Sequence, residues 1–314
     1  MNDITTMRAI SQDVFGGPEV LREVRLPKPV PGPGEVLVRV RAAGLNPTDW
    51  KHRAVPGLFL GEPPFVLGWD VSGVVEATAT GVTVVKPGDE VFGMLPYPSG
   101  AGSHAEYVTG PARAFALKPA TIDHVQAGAL PLAALTAWQA LVDTARLQAG
   151  QRVLIHAAAG GVGHLAVQIA KARGAYVIGT ASAPKHGFVR SLGADEVVDY
   201  RTTDVTEAVR DADVVVDAQG NEHALRSLRS LRPGGILVSL RLDAGKEALV
   251  EEAARLGVRA EIMLVEADHA GMAAIAELAA GGRLRAEIAE TFELADAAKA
   301  HALATPAGPR GSWS

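Results

Sequence analysis

The stretch from Arg152 to Ser182 constrains the fold most, because it reads as strand, glycine turn, helix and strand without a break. Arg152-Val-Leu-Ile-His156 is a short apolar run suited to a buried parallel strand, and it leads directly into Ala157-Ala-Ala-Gly-Gly-Val-Gly163. Gly160 and Gly161 let a backbone turn tightly and approach a pyrophosphate, and Gly163 lets the next helix pack close to the strand. That helix is announced by Val162, Leu165, Ala166, Ile169 and Ala170, a stripe on one face that ends near Gly174. Its first turn offers free N–H groups and a partial positive charge to an anion. Ala175-Tyr-Val-Ile-Gly-Thr180 completes a βαβ unit. A glycine motif alone is weak, and Ala158 stands where the dinucleotide fingerprint usually has its first glycine; the strand and helix around it make a dinucleotide site the expectation.

The same stretch bears on which dinucleotide. A carboxylate about 20 residues past the glycines normally takes the ribose hydroxyls of NAD. No Asp or Glu occurs from Gly160 to Ala194, while Ser182 and Lys185 follow the second strand. A hydroxyl and an ammonium suit a 2′-phosphate, and no carboxylate repels it, so NADPH is the expected cofactor. Taken alone, Lys185 would read as a solvated lysine at a helix start.

With 314 residues, of which 48% are hydrophobic, the chain can build two cored domains. Its 30 basic and 35 acidic residues leave a formal charge of −5, which recommends neither nucleic acid nor an anionic membrane as partner. There is no cysteine, which excludes disulfides, thiolate zinc sites and cysteine nucleophiles. Met1 to Ile10 lacks the pattern of a signal peptide, and the most apolar stretch, Ala127 to Val142, is short for a membrane helix, so a cytoplasmic location is expected.

Of 19 prolines, 14 lie at or before Pro119, among glycines and short β-rich runs, the texture of an irregular antiparallel β domain. Expected strands there are Val20–Val24, Glu35–Arg41, Val71–Ala77, Glu90–Met94, His104–Val108 and Ala114–Leu117. A helix over Leu135–Thr144 then precedes the βαβ unit. Glu196–Asp199, Asp213–Asp217, Gly235–Leu240 and Arg259–Leu264 alternate with helical segments, which predicts a doubly wound, six-stranded parallel sheet of the α/β class. Such sheets bind ligand at the carboxyl ends of their strands, so Ala218, Gln219, Ser239 and Leu240 are cofactor-side candidates, with ordinary loop chemistry as the other reading. Thr291–His301 reads as a strand followed by an amphipathic helix.

Several stretches together resemble the medium-chain dehydrogenase/reductase superfamily, in its zinc-free NADPH:quinone oxidoreductase branch. They are Pro31-Gly-Pro-Gly-Glu-Val-Leu-Val-Arg-Val40, Ala43-Gly-Leu-Asn-Pro-Thr-Asp49, Gly68-Trp-Asp-Val-Ser-Gly-Val-Val75, Gly88-Asp-Glu-Val-Phe92, Ala129-Leu-Pro-Leu132 with Thr136, the glycine turn, and Leu192-Gly-Ala-Asp195. The resemblance implies a GroES-like antiparallel β domain over residues 1–124 and 267–314. A Rossmann domain over 125–266 would be inserted in it, with the active site in the cleft between. It allows a homodimer joined through the nucleotide-domain sheet, although no residue here shows one.

By the same resemblance Asn46 falls where zinc-dependent relatives carry a cysteine ligand, and Trp69 where they carry a histidine ligand. An amide and an indole do not replace these, so no metal is expected, and the scattered His52, Glu62 and Asp70 read as solvated or paired. The resemblance puts Asn46 and Thr136 beside the nicotinamide. It puts Gly160, Gly161 and Val162 at the pyrophosphate, and Ser182, Lys185 and Tyr200 at the 2′-phosphate, with a structural edge-strand role the other reading of Tyr200. Phe59, Trp69 and Tyr97 are flat rings suited to sandwich a planar acceptor, or alternatively to pack the β domain. Asp49 and Asp70 read as satisfying local backbone donors, without a catalytic role.

The implied activity is NADPH-dependent, zinc-independent reduction of a quinone or related α,β-unsaturated carbonyl. Two other readings stay open: an enoyl thioester or polyketide-tailoring ketone reductase, and a non-catalytic NADPH-binding structural or sensory protein. Leu58-Phe59-Leu60 stands where enoyl reductases carry a tyrosine donor, which weakens the former. The ending Gly308-Pro-Arg-Gly-Ser-Trp-Ser314 departs from the family pattern and opens the option of Arg310 near the active site.

Overall fold

The computed structural model describes residues 5–241 and 245–304. Arg310 and the atypical ending lie outside them. The chain divides into two units: one holds the residues up to Leu132, Glu266–Ala280 and the chain from Ala286, the other Ala133–Val265 and Gly281–Arg285.

The first unit carries β1 (Thr6–Gln12), β2 (Arg22–Pro27), β3 (Glu35–Ala42), β4 (Phe65–Val66), β5 (Asp70–Thr78), β6 (Glu90–Met94), β7 (Tyr107–Pro111) and β8 (Phe115–Leu117). These form a five-stranded antiparallel sheet in the order β7-β3-β5-β6-β8 and a three-stranded one in the order β2-β1-β4. β1 was not read from the sequence because Thr6-Met-Arg-Ala-Ile-Ser-Gln12 mixes charge with apolar residues; its Met7, Ala9 and Ile10 nevertheless all turn into cores. The strand expected at Val20–Val24 begins instead at Arg22, since Pro18 opens a short 3-10 turn through Val20. Helix Pro47–Ala54 starts with proline at its first position, where a missing N–H costs nothing.

The second unit carries β9 (Arg152–Ile155), β10 (Tyr176–Thr180), β11 (Glu196–Val198), β12 (Ala212–Asp217), β13 (Leu231–Ser239) and β14 (Arg259–Ile262). All pair in parallel, in the order β11-β10-β9-β12-β13-β14. The sheet therefore reverses direction of growth between β9 and β12, which is where doubly wound folds bind ligand. One face packs Leu154, Ile178, Val215 and Leu237 on Leu228, Leu249 and Ala253. Each of these Leu, Ile and Val side chains contributes about 1.5–3 kcal/mol when fully buried.

Helix Gly161–Ala172 has Leu165, Ala166, Ile169 and Ala170 wholly buried. It ends where Gly174 takes φ +78°. There Gly174 N donates to Lys171 O at 2.9 Å and Ala175 N to Ala170 O at 3.0 Å, the two bonds of a Schellman stop.

Two further sequence expectations are corrected. The single helix at Leu135–Thr144 is an α-helix over Pro131–Trp138 that widens to a π-helix over Gln139–Thr144. No strand forms at Thr291; the chain is irregular until the 3-10 turn Leu294–Asp296 and helix Ala297–Ala304. Thr291 through Glu293 are exposed, so their β-prone residues have no core to alternate against. No helix among the described residues is long and apolar enough to cross a membrane.

Candidate functional site

The turn after β9 has the geometry a pyrophosphate needs. Gly160 caps the helix in an extended conformation, and a Cβ added at Gly161 would meet nothing within 4 Å. A Cβ on Gly163 would lie 2.1 Å from Ala157 O, so that glycine serves close packing of helix on strand. The turn is held from below: Ala157 N donates to Thr180 Oγ1 at 3.2 Å and Ala158 N to Thr180 O at 2.9 Å. The small, exposed turn at the start of a 12-residue helix thus fits a dinucleotide.

Beside it, at the carboxyl ends of β9 and β12, lies a cavity of about 420 Å³ whose walls include His156, Tyr200, Arg201, Gln219, His223 and Arg226. Tyr200 and the guanidinium of Arg201 stack at 5.9 Å. Ser182 is partly exposed and Lys185 exposed, and neither lines this cavity. The fold also brings a carboxylate to their loop: Asp199 Oδ2 accepts from Ala183 N and Oδ1 from Arg201 N, both at 3.0 Å. A search along the sequence past the glycines could not find this acid, because it arrives from the end of β11.

The cavity floor is a polar network in which His156, Asp217 and Ser227 are buried and His223 is partly exposed. His223 Nδ1 is 2.8 Å from Asp217 Oδ1, His156 Nε2 is 3.0 Å from Ser227 Oγ, and the two imidazoles meet edge to face at 4.3 Å. Burial, and then the neighbouring His223, push the His156 imidazole well below the usual histidine range. Burial alone would raise the Asp217 carboxyl, but hydrogen bonds from His223 and Gly220 N overcome it and hold it low. Ala218 is half-buried after β12, Ser239 is fully buried, and Leu240 N donates to Asp217 O at 2.8 Å.

In the first unit Asn46 is buried at the N-cap of helix Pro47–Ala54. Its Nδ2 donates to Asp70 Oδ2 at 2.7 Å, while Leu132 N donates to Asp70 Oδ1 at 2.6 Å. Asp49 takes Asn46 N at 2.7 Å and Gly68 N at 2.9 Å. Burial pushes both carboxyls up to about 7 against these hydrogen bonds. Asp49 thus has one local and one distant donor, whereas Asp70 works entirely over long range by fixing the Asn46 amide. Thr136 is buried in helix Pro131–Trp138 of the second unit.

The rings named from the sequence do come together. Trp69 meets Tyr97 at 5.4 Å, and Phe59 meets Tyr97 at 6.3 Å, both edge to face. The box has a fourth wall that the sequence did not reveal: His52 packs at 5.1 Å from Trp69 and 6.1 Å from Phe59. Trp69 is wholly buried, whereas Phe59 is 51% exposed, so the box opens at the Phe59 side. Trp69 Nε1 and His52 Nε2 are buried without a hydrogen-bond partner among the described residues. Among those residues no three His, Asp or Glu side chains converge as a metal cage.

A nucleotide-type parallel sheet with its glycine turn and an antiparallel β unit with its buried Asn46 define a dehydrogenase/reductase of the medium-chain superfamily. Residues 32–120 match the alcohol dehydrogenase GroES-like domain, and residues 192–311 match a model described as zinc-binding dehydrogenase. The chain is 36% identical over 309 residues to a 2-haloacrylate reductase of a Burkholderia species, covering 91% of this chain and 92% of that one. Its fold matches the quinone oxidoreductase of Coxiella burnetii at TM-score 0.88 and 36% identity, over 95% of each chain. It also matches the Escherichia coli quinone oxidoreductase, solved in complex with NADPH, at TM-score 0.81 and 29% identity over 94% of this chain and 95% of that one. The chain belongs to the zinc-free quinone oxidoreductase branch of that superfamily, with its GroES-like and Rossmann-type architecture.

Proposed function

We propose that this chain is a cytoplasmic reductase that uses NADPH, without zinc, to reduce quinones or related α,β-unsaturated carbonyl compounds. The observation that carries the acceptor class is the ring cluster: Trp69, at the position of a metal ligand in zinc-dependent relatives, is buried behind half-buried Tyr97 and exposed Phe59. A flat conjugated acceptor gains aromatic contact on Phe59 and Tyr97, and being already electrophilic it needs no Lewis acid. The names of the relatives, a 2-haloacrylate reductase and quinone oxidoreductases, support the same class.

When bound, NADPH supplies a hydride. Gly160, Gly161 and Val162 receive the pyrophosphate on the helix N-terminus. Lys185, Ser182 and Tyr200, with Arg201 from the cavity wall, take the 2′-phosphate; Asp199 is engaged by two backbone N–H groups, which reduces its opposition to that charge. Ala218, Ser239 and Leu240 line the cofactor's path. Asn46 and Thr136 orient the nicotinamide half, and Asp70 holds Asn46 Nδ2 so that the amide oxygen faces a fixed direction.

The test is acceptor-resolved turnover: purified protein with NADPH and, separately, a 1,4-quinone, a simple enone and an enoyl thioester. Quinone or enone turnover well above that of the thioester is expected. Faster thioester reduction would favour the enoyl reductase reading, and NADPH binding without turnover on any of the three would favour a non-catalytic role.

A further inference from the structure

His52 of the ring box and Thr48 beside it have no part in clamping an acceptor, yet hydrogen bonds tie them to Tyr97. His52 is 3% exposed, and its Nδ1 lies 2.8 Å from the Thr48 carbonyl oxygen and 3.1 Å from Thr48 Oγ1. A carbonyl only accepts, so Nδ1 carries the hydrogen of this ring. Thr48 Oγ1 is then an acceptor toward His52 and gives its own proton to Tyr97 Oη at 3.3 Å. Every donor in this chain points toward the phenol oxygen. The Tyr97 proton is left uncommitted, on a half-buried ring that forms a wall of the box. The indole N–H of Trp69, 5.4 Å away between ring centres, is likewise buried without a partner among the described residues. The Trp69 N–H is wholly enclosed, so the hydrogen that can reach a molecule seated against half-buried Tyr97 and exposed Phe59 is that of the Tyr97 hydroxyl.

We propose that Tyr97 is the proton donor of the reaction, with Thr48 and His52 as positioning residues, and that the acceptor it serves is a conjugated carbon–carbon double bond. The proposal rests on the acceptor binding in the ring box as argued above. Hydride addition to the β-carbon moves the π pair to make an enolate. The Tyr97 O–H bond then breaks, the proton forms the new C–H bond at the α-carbon, and the carbonyl is restored. The phenolate is stabilised by the Thr48 hydroxyl and takes a proton from water through the open side of the box. A quinone has less need of such a donor, because its reduced oxygens take protons directly from solvent. A carbon centre is protonated slowly and on one face only if a donor is fixed beside it.

The decisive experiment is reduction of a cyclic enone bearing an α-methyl group, by the full chain with NADPH in D₂O, comparing wild type, Tyr97→Phe and Thr48→Val. The wild type should place deuterium on one face of the α-carbon. Y97F should turn over on the order of 100-fold more slowly, the usual contribution of a general acid, and give racemic product. T48V should lose rate while keeping the facial preference, which a merely structural role would not separate. Binding of the saturated ketone product to the cofactor-free protein is followed by quenching of Trp69 fluorescence, identified by its loss in Trp69→Phe. Quenching in both wild type and Y97F keeps the pocket in place. Wild-type rate and a single enantiomer from Y97F would overturn the donor while leaving the pocket intact. Neither quenching nor enone reduction by the wild type would overturn the proposed function and the donor with it.

Discussion

Asn46 Nδ2 and Asp70 Oδ2 lie 2.7 Å apart, joining a helix cap to the first residue of β5 inside a fully buried pocket. Asp70→Ala would remove the carboxyl to which both Asn46 Nδ2 and Leu132 N donate, at about 1–3 kcal/mol for each buried hydrogen bond lost. We expect D70A to lose about 2–5 kcal/mol in urea unfolding, and D70N, which keeps one acceptor oxygen, to lose less. Equal stability of D70A and wild type would show that the carboxyl is not holding the amide.

Two pairs of buried groups act on pH stability with opposite signs. Burial lowers His104 to about 4, and burial with His104 and Arg53 nearby lowers His301 to about 3. The unfolded chain takes up these protons near pH 6.5 and the folded one does not. Their stabilisation is therefore whole above pH 6.5 and is lost as pH falls toward 3. Asp49 and Asp70, raised to about 7 from about 3.8, contribute stability that is whole below pH 3.8 and is lost as pH rises toward 7. Urea midpoints measured from pH 4 to 8 should show a shallower acid decline in His301→Gln, and a smaller loss between pH 4 and 7 in D70N.

The glycines of the turn divide their tasks, and substitution separates them. Gly161→Ala meets open space, so stability should change by less than about 1 kcal/mol while NADPH binding weakens at least about tenfold, because the methyl occupies the pyrophosphate approach. Gly163→Ala drives a methyl against Ala157 O and should cost about 1–3 kcal/mol or more of stability. Thermal melts and fluorescence titration with NADPH read the two effects.

Lys185→Ala should cost NADPH about 1.5–3 kcal/mol of binding and leave NADH little changed. Equal weakening of both cofactors would make Lys185 a structural residue and transfer the phosphate contact to Arg201, which stands with Tyr200 on the cavity wall.

All six parallel strands of the second unit could be read from the sequence, the inner ones because they are short, nearly continuous apolar runs between helical segments, with Val214 to Val216 and Ile236 to Val238 buried on both faces; the edge strand Arg259–Ile262 instead alternates exposed and half-buried residues. β1 could not, since half its pattern depends on β2 and β4 arriving from elsewhere. The glycine turn was legible for the same local reason. The long-range part of the site was not: Asp70 reaches Leu132 N across 62 residues, Tyr97 receives Thr48 across 49, and Asp199 meets Ala183 N across 16. His52, one turn beyond Thr48 on helix Pro47–Ala54, carried no signal distinguishing it from a surface histidine until the helix was packed against Trp69.

The most direct test of the central claim is the initial rate of NADPH and of NADH oxidation by chelator-treated protein with one simple 1,4-quinone. A strong preference for NADPH, with full turnover after chelation, is the predicted result. Turnover that disappears with the metal, or a preference for NADH, would contradict it.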